Sequence, residues 1–376
     1  TLLASNPSHP LPVAEYSSPF YINNRSLLLG ILWIQIKINR LLAISKWRVQ
    51  PEAVNRNLRG HTTMDGGSPT ASDLGAPLTF LGLEEANEGP WDVVILPVPY
   101  EMTTSWGEGT EHGPAAAIEA SSQVELYDPI LDSELPCGLA FHTAKAWGSD
   151  AGTLLEQLAS IRDYLGPWFD GATFPIVLGG EHGLLPPLVE ALAGHPTLAG
   201  DLSRLTLVQV DAHADLRDSL NGERFSHGTS ARRALDAGVG GLLQIGIRAL
   251  CRDEAEFAAA DDRIETFYAR DLFSPSEGHS GWEALLARIE GLTGPVWLTF
   301  DIDGLDGALV PDTGTPVPGG LTHWGSVEII ERLFASQAEV LGADVNEIAP
   351  GEDRITQFNA ALIATKILAA HIANQP

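Results

Sequence analysis

Cysteine, basic side chains and long apolar runs are all scarce in this chain of 376 residues. The two cysteines, Cys137 and Cys251, have neither disulfide-framework nor metal-site spacing, so we expect reduced thiols and a cytoplasmic protein. With 22 Lys and Arg against 49 Asp and Glu, the formal net charge is −27. The chain therefore lacks the basic face that nucleic acid requires, and we expect no nucleic-acid partner. Most of this charge serves solubility, although an acidic field also favours a cationic ligand.

The first 63 residues differ from the rest, because they hold seven Lys and Arg but only two Asp and Glu. Their apolar run Leu27–Ile34 is too short to span a bilayer, and charged residues follow it, so we expect no membrane partner. Three interpretations stay open. We favour translated upstream sequence before a start near Met64, against a targeting tail or a peripheral amphipathic helix. Residues 65–76 are rich in Gly, Ser, Pro and Asp, which is typical of a linker.

From residue 93 onward, apolar strand-like runs alternate with segments of helical periodicity. The pattern predicts strands at 93–98, 176–178, 205–210, 242–247, 296–300 and 340–345. It predicts helices at 114–121, 154–164, 185–192, 230–237, 282–289, 326–334 and 359–370. Strands separated by helices indicate βαβ units, so we predict an α/β fold with a parallel sheet and one or two further strands.

Three polar clusters each follow an apolar run: Gly179-Gly180-Glu181-His182, Asp211-Ala212-His213-Ala214-Asp215 and Asp301-Ile302-Asp303. The carboxyl ends of strands in an open α/β sheet are where ligands bind, so we expect these side chains to meet. The candidate metal ligands are His182, Asp211, His213, Asp215, Asp301 and Asp303. Imidazole and carboxylate without thiolate favour a borderline-hard ion such as Mn²⁺, with Ni²⁺ and Zn²⁺ as alternatives. Six such ligands suit two divalent cations, and two cations that share a water make a hydrolase.

These three blocks resemble the signature blocks of the ureohydrolases, the arginase and agmatinase family, from about residue 90 to the C-terminus. The resemblance implies a three-layer αβα sandwich with a central, mostly parallel sheet of about eight strands, a binuclear manganese centre and a homo-oligomer, trimeric or hexameric. We predict that residues 64–89 form a linker and lead-in and residues 90–376 the catalytic domain. The family pattern pairs His182 with Asp215 on one ion and His213 with Asp303 on the other, bridged by Asp211 and Asp301.

The chain departs from the family pattern at three positions near these blocks. Gly183 stands where the family often has Ser, and Thr299 stands where Ser is common. Gly307 stands where Pro usually follows the third Asp of the last block. None of these departures removes a ligand. The two glycines could alter the rigidity of their loops and thereby the affinity or identity of the metal.

The chemistry that follows is attack of a metal-bridging hydroxide on the carbon of a guanidinium group, with release of urea. Asp215 is placed to orient the hydroxide. The leaving amine needs a proton, and the resemblance puts a proton-shuttling histidine, a residue type suited to proton transfer, at His227. Glu347 follows the strand predicted at 340–345, and the matching family glutamate clamps the guanidinium through paired N–H bonds. We predict His227, Asp215 and Glu347 as catalytic residues, with Glu347 and His227 also contacting substrate.

Segments 221–229, 313–316 and 318–321 look closer to agmatinases than to arginases, so we predict a small cationic guanidino substrate, with agmatine giving putrescine and urea. Guanidinobutyrate, guanidinopropionate, free guanidine and arginine are alternative substrates. A catalytically silent homologue that regulates polyamine metabolism is an alternative of another class, as is a single-zinc deacetylase, although the chain lacks the usual His-His pair. The acidic loop 100–114, with Glu101, Glu108 and Glu111, is either a lid or an ordinary surface loop.

Overall fold

The structure is a computed structural model that describes residues 78–85, 88–273 and 280–375; the basic N-terminal segment and the predicted linker lie outside these residues. The described residues form ten strands: β1 Val93–Val98, β2 Tyr127–Asp128, β3 Ser133–Glu134, β4 Phe141–Thr143, β5 Phe174–Gly179, β6 Thr206–Val210, β7 Gly241–Ile247, β8 Ile264–Tyr268, β9 Thr293–Asp301 and β10 Gln337–Asn346. They also form the helices α1 Gly113–Ser121, α2 Leu154–Leu165, α3 Leu185–Leu192, α4 Ser230–Asp236, α5 Arg252–Ala260, α6 Ala269–Phe273, α7 Ser280–Glu290, α8 His323–Ala335 and α9 Ile355–Ala373.

Eight of these strands form one sheet in the order β4-β1-β5-β10-β9-β6-β7-β8. Every neighbouring pair in it is parallel, while β2 and β3 form a separate antiparallel pair. The six predicted strands are all present, and β4 and β8 are the further strands that were expected. Both are edge strands; β4 has only three residues and β8 is only partly buried, so their apolar patterns are weak. The predicted parallel sheet of about eight strands is confirmed.

Helices cover both faces of this sheet because successive strand side chains point to opposite sides. Val93 and Ile95 of β1 belong to a core cluster that includes residues of α1, α7, α8 and α9. Val94, Leu96 and Val98 belong to a second cluster with α2, α3 and α4. All six residues of β1 are buried, as expected for a strand packed on both faces. The three-layer αβα architecture is therefore confirmed.

Helix α9 is apolar around its whole circumference, and by length and composition alone it could cross a membrane. Its most apolar window is 67% buried, and it packs against α1 and α8. A helix that is apolar all round is typical of the centre of a packed core as well as of a membrane span. Here α9 is a core helix of the first face.

The strand order places four strand ends side by side in the middle of the sheet. Strands β5, β10, β9 and β6 are consecutive neighbours, and each is followed directly by one of the polar segments that were singled out in the sequence. The register aligns their ends, with Val345 opposite Leu178, Asn346 opposite Asp301, and Phe300 opposite Val210. Because all four strands are parallel, their polar ends meet at one edge of the sheet.

Candidate metal centre

At the end of β5, the two glycines before Glu181 and His182 have no space for side chains. A Cβ atom at Gly179 would lie 2.0 Å from Asn346 Oδ1, and one at Gly180 would lie 2.0 Å from the carbonyl oxygen of Tyr100. Real Cβ atoms do not approach other atoms this closely, so only glycine allows the chain to turn between β1 and β10. His182 then begins a single 3₁₀ turn, His182–Leu184, with its side chain buried.

The segment after β6 leaves the sheet edge at Asp215, whose φ of 53° lies in the left-handed region. For a residue with a Cβ this conformation costs about 1–3 kcal/mol and persists only where the surroundings enforce it. The backbone N–H of Arg232 donates to the carbonyl of Asp215 at 3.0 Å, and the hydroxyl of Ser230 donates to Asp215 Oδ2 at 2.8 Å. Helix α4 therefore fixes both the backbone and the carboxylate of Asp215.

Five of the predicted ligands form two groups whose ligand atoms lie within 4.8 Å of one another: His182, Asp211 and Asp215, and Asp211, His213 and Asp303. Asp211 belongs to both groups, as a bridging carboxylate would. His182 Nδ1 lies 3.2 Å from Asp211 Oδ2 and 3.3 Å from Asp215 Oδ2. His213 Nδ1 lies 2.9 Å from Asp303 Oδ2. The sixth predicted ligand joins the first group, because Asp301 Oδ2 lies 3.5 Å from His182 Nδ1.

Backbone N–H groups hold three of the four carboxylates by one oxygen each. The N–H of His213 donates to Asp211 Oδ1 at 2.6 Å, that of Ala212 to Asp303 Oδ1 at 3.0 Å, and that of Asp303 to Asp301 Oδ1 at 2.9 Å. In each case the other oxygen, Oδ2, is the one that lies close to an imidazole nitrogen of the cluster. The carboxylates are thus pre-oriented towards a common point, as a metal site requires.

The donor atoms fit divalent cations. His182 Nε2 lies 2.8 Å from Thr299 Oγ1, which leaves Nδ1 buried and without a hydrogen-bond partner of good geometry among the described residues. Burial, followed by repulsion from Asp215 and Asp303, raises the pKa of Asp211 to about 7. Burial, followed by the charges of Asp303 and Asp211, also raises the pKa of Asp301. Although burial opposes it, the pKa of Asp303 is instead lowered by the charge and hydrogen bond of His213. Two buried carboxylates with raised pKa values indicate that the cluster lacks positive charge, which divalent cations would supply.

His227 and Glu347 face the same cavity of about 420 Å³ as the ligands. The buried carboxylate of Glu347 accepts a bond of 2.7 Å from the backbone N–H of His182, and burial raises its pKa to about 8. His227 Nε2 lies 3.1 Å from the hydroxyl of Ser105. The cavity is lined by Ser105, His182, His213, Asp215, Arg217, Leu220, His227, Gly228, Ala249, Leu250, Glu254, Asp301, Asp303, Thr315 and Glu347.

The acidic side chains of the loop 100–114 do not line this cavity. Glu101 Oε2 instead accepts bonds from the backbone N–H of Gly109 at 2.8 Å and from the hydroxyl of Thr110 at 2.7 Å. Glu108 and Glu111 are exposed. Glu101 therefore organises its own loop, and only Ser105 of this segment reaches the cavity wall.

Sequence reasoning missed several polar residues that support the ligands from behind. Gln209 Nε2 donates to Asp211 Oδ2 at 2.8 Å, and Gln244 Nε2 donates to Gln209 Oε1 at 2.8 Å. A signal for both was present, because each is a fully buried glutamine inside an otherwise mostly apolar strand. Ser230 and Glu181 gave no comparable signal, since a polar residue at a helix start or in a loop is ordinary.

Comparison with known proteins shows the family of this chain. Residues 91–372 match the sequence model of the arginase family. The chain belongs to the arginase family. This arginase-family chain is 35% identical over 282 residues to an N(1)-aminopropylagmatine ureohydrolase of Synechocystis sp., covering 73% of this chain and 88% of the relative. It is 34% identical over 272 residues to an agmatinase of Bacillus anthracis, covering 72% and 88%.

Solved structures share the fold. A hypothetical agmatinase from Burkholderia thailandensis superposes with a TM-score of 0.68 at 29% identity, covering 79% of this arginase-family chain and 91% of that one. Proclavaminate amidino hydrolase from Streptomyces clavuligerus gives a TM-score of 0.69 at 24% identity, covering 80% and 99%. The second likeness bears on the fold alone.

Proposed function

We propose that this protein is a binuclear-metal amidinohydrolase that releases urea from a guanidino compound, with agmatine as substrate and putrescine as the second product. One observation carries the proposal. Six predicted imidazole and carboxylate ligands from three strand ends cluster together, and five of them line one cavity with the buried carboxylate of Glu347. A buried carboxylate beside a cation centre is suited to hold a planar cationic group by paired hydrogen bonds.

Two groups of side chains would hold the metal ions. His182 and Asp215 would bind one, His213 and Asp303 the other, and Asp211 and Asp301 would bridge them. Two Mn²⁺ ions, with Ni²⁺ or Zn²⁺ as alternatives, supply Lewis acidity when bound and lower the pKa of a water molecule to near neutral.

Three side chains would bind the substrate, orient the attacking group and move a proton. Glu347 would accept N–H bonds from the guanidinium and place its carbon towards the ligand cluster. Asp215, held by Ser230 at 2.8 Å, would orient the attacking group through its carboxylate. His227 stands at the cavity wall, where its imidazole can deliver a proton to the departing amine.

Agmatine is preferred over other guanidino compounds because the two relatives described above are named for agmatine or for its aminopropyl derivative. N(1)-aminopropylagmatine is the second candidate. Leu220, Ala249 and Leu250 also line the cavity, and their apolar side chains suit the methylene chain of a longer substrate. Guanidinobutyrate, guanidinopropionate, free guanidine and arginine stay alternatives for the same reaction.

The test is urea release by purified full-length protein loaded with Mn²⁺, Ni²⁺ or Zn²⁺ in turn. Agmatine, N(1)-aminopropylagmatine, arginine, guanidinobutyrate, guanidinopropionate and guanidine are compared by kcat/KM. We expect the highest value for agmatine with Mn²⁺. A higher value for another guanidino compound would overturn the substrate assignment alone. No urea from any of them, in protein shown to contain two metal ions per chain, would overturn the whole proposal and favour a silent homologue.

The cytoplasmic location, the trimeric or hexameric assembly and the division at residues 63 and 89 stay predictions from the sequence. Size-exclusion chromatography with light scattering measures the assembly directly. A chain that begins at Met64 should match the full chain in urea release if the basic segment is dispensable.

A further inference from the structure

The imidazole of His227 lies between two hydroxyl groups of the loop 100–114. The hydroxyl of Ser105 lies 3.1 Å from Nε2, on the side of the cavity. On the opposite side, Thr103 Oγ1 lies 3.5 Å from Nδ1 and accepts a bond of 3.1 Å from the backbone N–H of His227. The position of His227 is therefore tied to one short segment, residues 102–105.

That segment is in turn anchored by Glu181, a fully buried carboxylate that none of the predicted roles uses. Its Oε2 atom accepts the backbone N–H of Met102 at 2.8 Å and that of Thr103 at 2.6 Å. Its Oε1 atom accepts the hydroxyl of Thr103 at 2.6 Å. Three hydrogen bonds from two adjacent residues to one charged group form a strong attachment, because bonds to a charged group are the stronger class.

The direction of these bonds determines which ring nitrogen of His227 is free. A threonine hydroxyl has one proton, and Thr103 donates it to Glu181. The oxygen of Thr103 can then only accept, so it favours the neutral tautomer of His227 that carries its proton on Nδ1. Nε2, the nitrogen on the side of Ser105 and the cavity, is left to gain and lose the catalytic proton.

Gly183 supplies the space for this arrangement. A Cβ atom at this position would lie 2.7 Å from Glu181 Oε1 and 3.4 Å from the backbone nitrogen of His227. The serine that the family often carries here would therefore push against the same carboxylate oxygen that holds Thr103. Glycine at position 183 therefore leaves the contact between Glu181 and Thr103 undisturbed.

We propose that Glu181 and Thr103 are positioning residues that hold residues 102–105 against His227 and direct its Nε2 atom into the cavity. The proposal rests on the proposed function, in which His227 delivers a proton to the departing amine. Neither residue contacts the reacting atoms, so both act through the orientation of His227.

The test uses Thr103, because Glu181 adjoins the metal ligand His182. Thr103→Val keeps the shape and removes the hydroxyl, whereas Thr103→Ser keeps the hydroxyl. General acid–base catalysis contributes about 10²–10⁴-fold, so a misplaced imidazole should lower kcat by about 10- to 100-fold in the valine variant. We expect KM and metal content to stay close to wild type, and Thr103→Ser to restore most of kcat.

Thr110→Val is the matched control, because Thr110 makes the same kind of bond in the same loop but to Glu101. We expect it to leave kcat within about twofold of wild type while it accelerates hydrogen–deuterium exchange at residues 107–112, since the bond to the charged Glu101 is lost. Hydrogen–deuterium exchange measures how firmly residues 102–105 are held and does not depend on catalytic activity. Thr103→Val should accelerate exchange at residues 102–105, and Gly183→Ser should do the same.

Three results would contradict the proposal that Glu181 and Thr103 position His227. A kcat within twofold of wild type in Thr103→Val, equal losses in the valine and serine variants, or unchanged exchange at residues 102–105 would overturn the positioning role. Failure of the proposed function is distinguishable, since wild-type protein would then release no urea although the exchange experiment still reports the anchoring.

Discussion

Glu347→Gln isolates the charge of the carboxylate that we assign to the guanidinium group. Glutamine keeps the shape and the acceptor Oε1, which takes the backbone N–H of His182 at 2.7 Å. It replaces the second acceptor by an amide that can only donate, opposite a substrate group that also only donates. Glu347 is 7% exposed, so the lost pairing is not replaced by water. Breaking a buried charge pair costs about 2–5 kcal/mol, and a loss of 2–4 kcal/mol lowers kcat/KM by about 30- to 1,000-fold.

The assay is steady-state urea release, and we expect most of the loss in KM because the clamp holds substrate and transition state alike. Glu254→Gln is the control, since Glu254 is also buried in the cavity wall but its oxygens accept the backbone N–H groups of Leu216 and Cys251. Its effect on kcat/KM should be far smaller. A Glu347→Gln protein within threefold of wild type at equal metal content, or equal losses in both variants, would refute the reasoning.

Three further outcomes follow from the site and the core. His213→Ala should abolish urea release yet leave the circular-dichroism spectrum of the metal-free protein unchanged. Chelation should lower the melting temperature, and Mn²⁺ at 100 times its Kd should restore about 2.7 kcal/mol of stability. Burial lowers the pKa of His371 from 6.5 to about 4. At pH 5 the unfolded chain binds a proton at His371 that the folded chain does not, which should lower the free energy of unfolding by about 2 kcal/mol. Stability should therefore fall as pH drops below 6.5, and His371→Phe should remove that slope in urea denaturation.

The fold was predictable because a parallel sheet buried on both faces produces continuous apolar runs. Strands β1, β5, β6 and β9 are such runs, and each is followed by a polar segment whose position the sequence shows directly. The order of the strands was not predictable from periodicity. The last two strands in sequence, β9 and β10, insert between β5 and β6. This pairing joins strands that are far apart in the chain, so no local sequence pattern indicates it.

The candidate ligands were predictable because chemistry restricts them to few residue types, and they occur at strand ends. The residues that hold His227 in place were not predictable, because they are far away from it in sequence. Glu181 lies 78 residues from Thr103 and 46 from His227, and only the crossing of two loops brings the three together. Because Glu181 is next to the predicted ligand His182, its sequence position alone would equally suggest a seventh metal ligand. Its hydrogen bonds instead go to Met102 and Thr103 of the loop 100–114, which supports the proposed role in positioning His227.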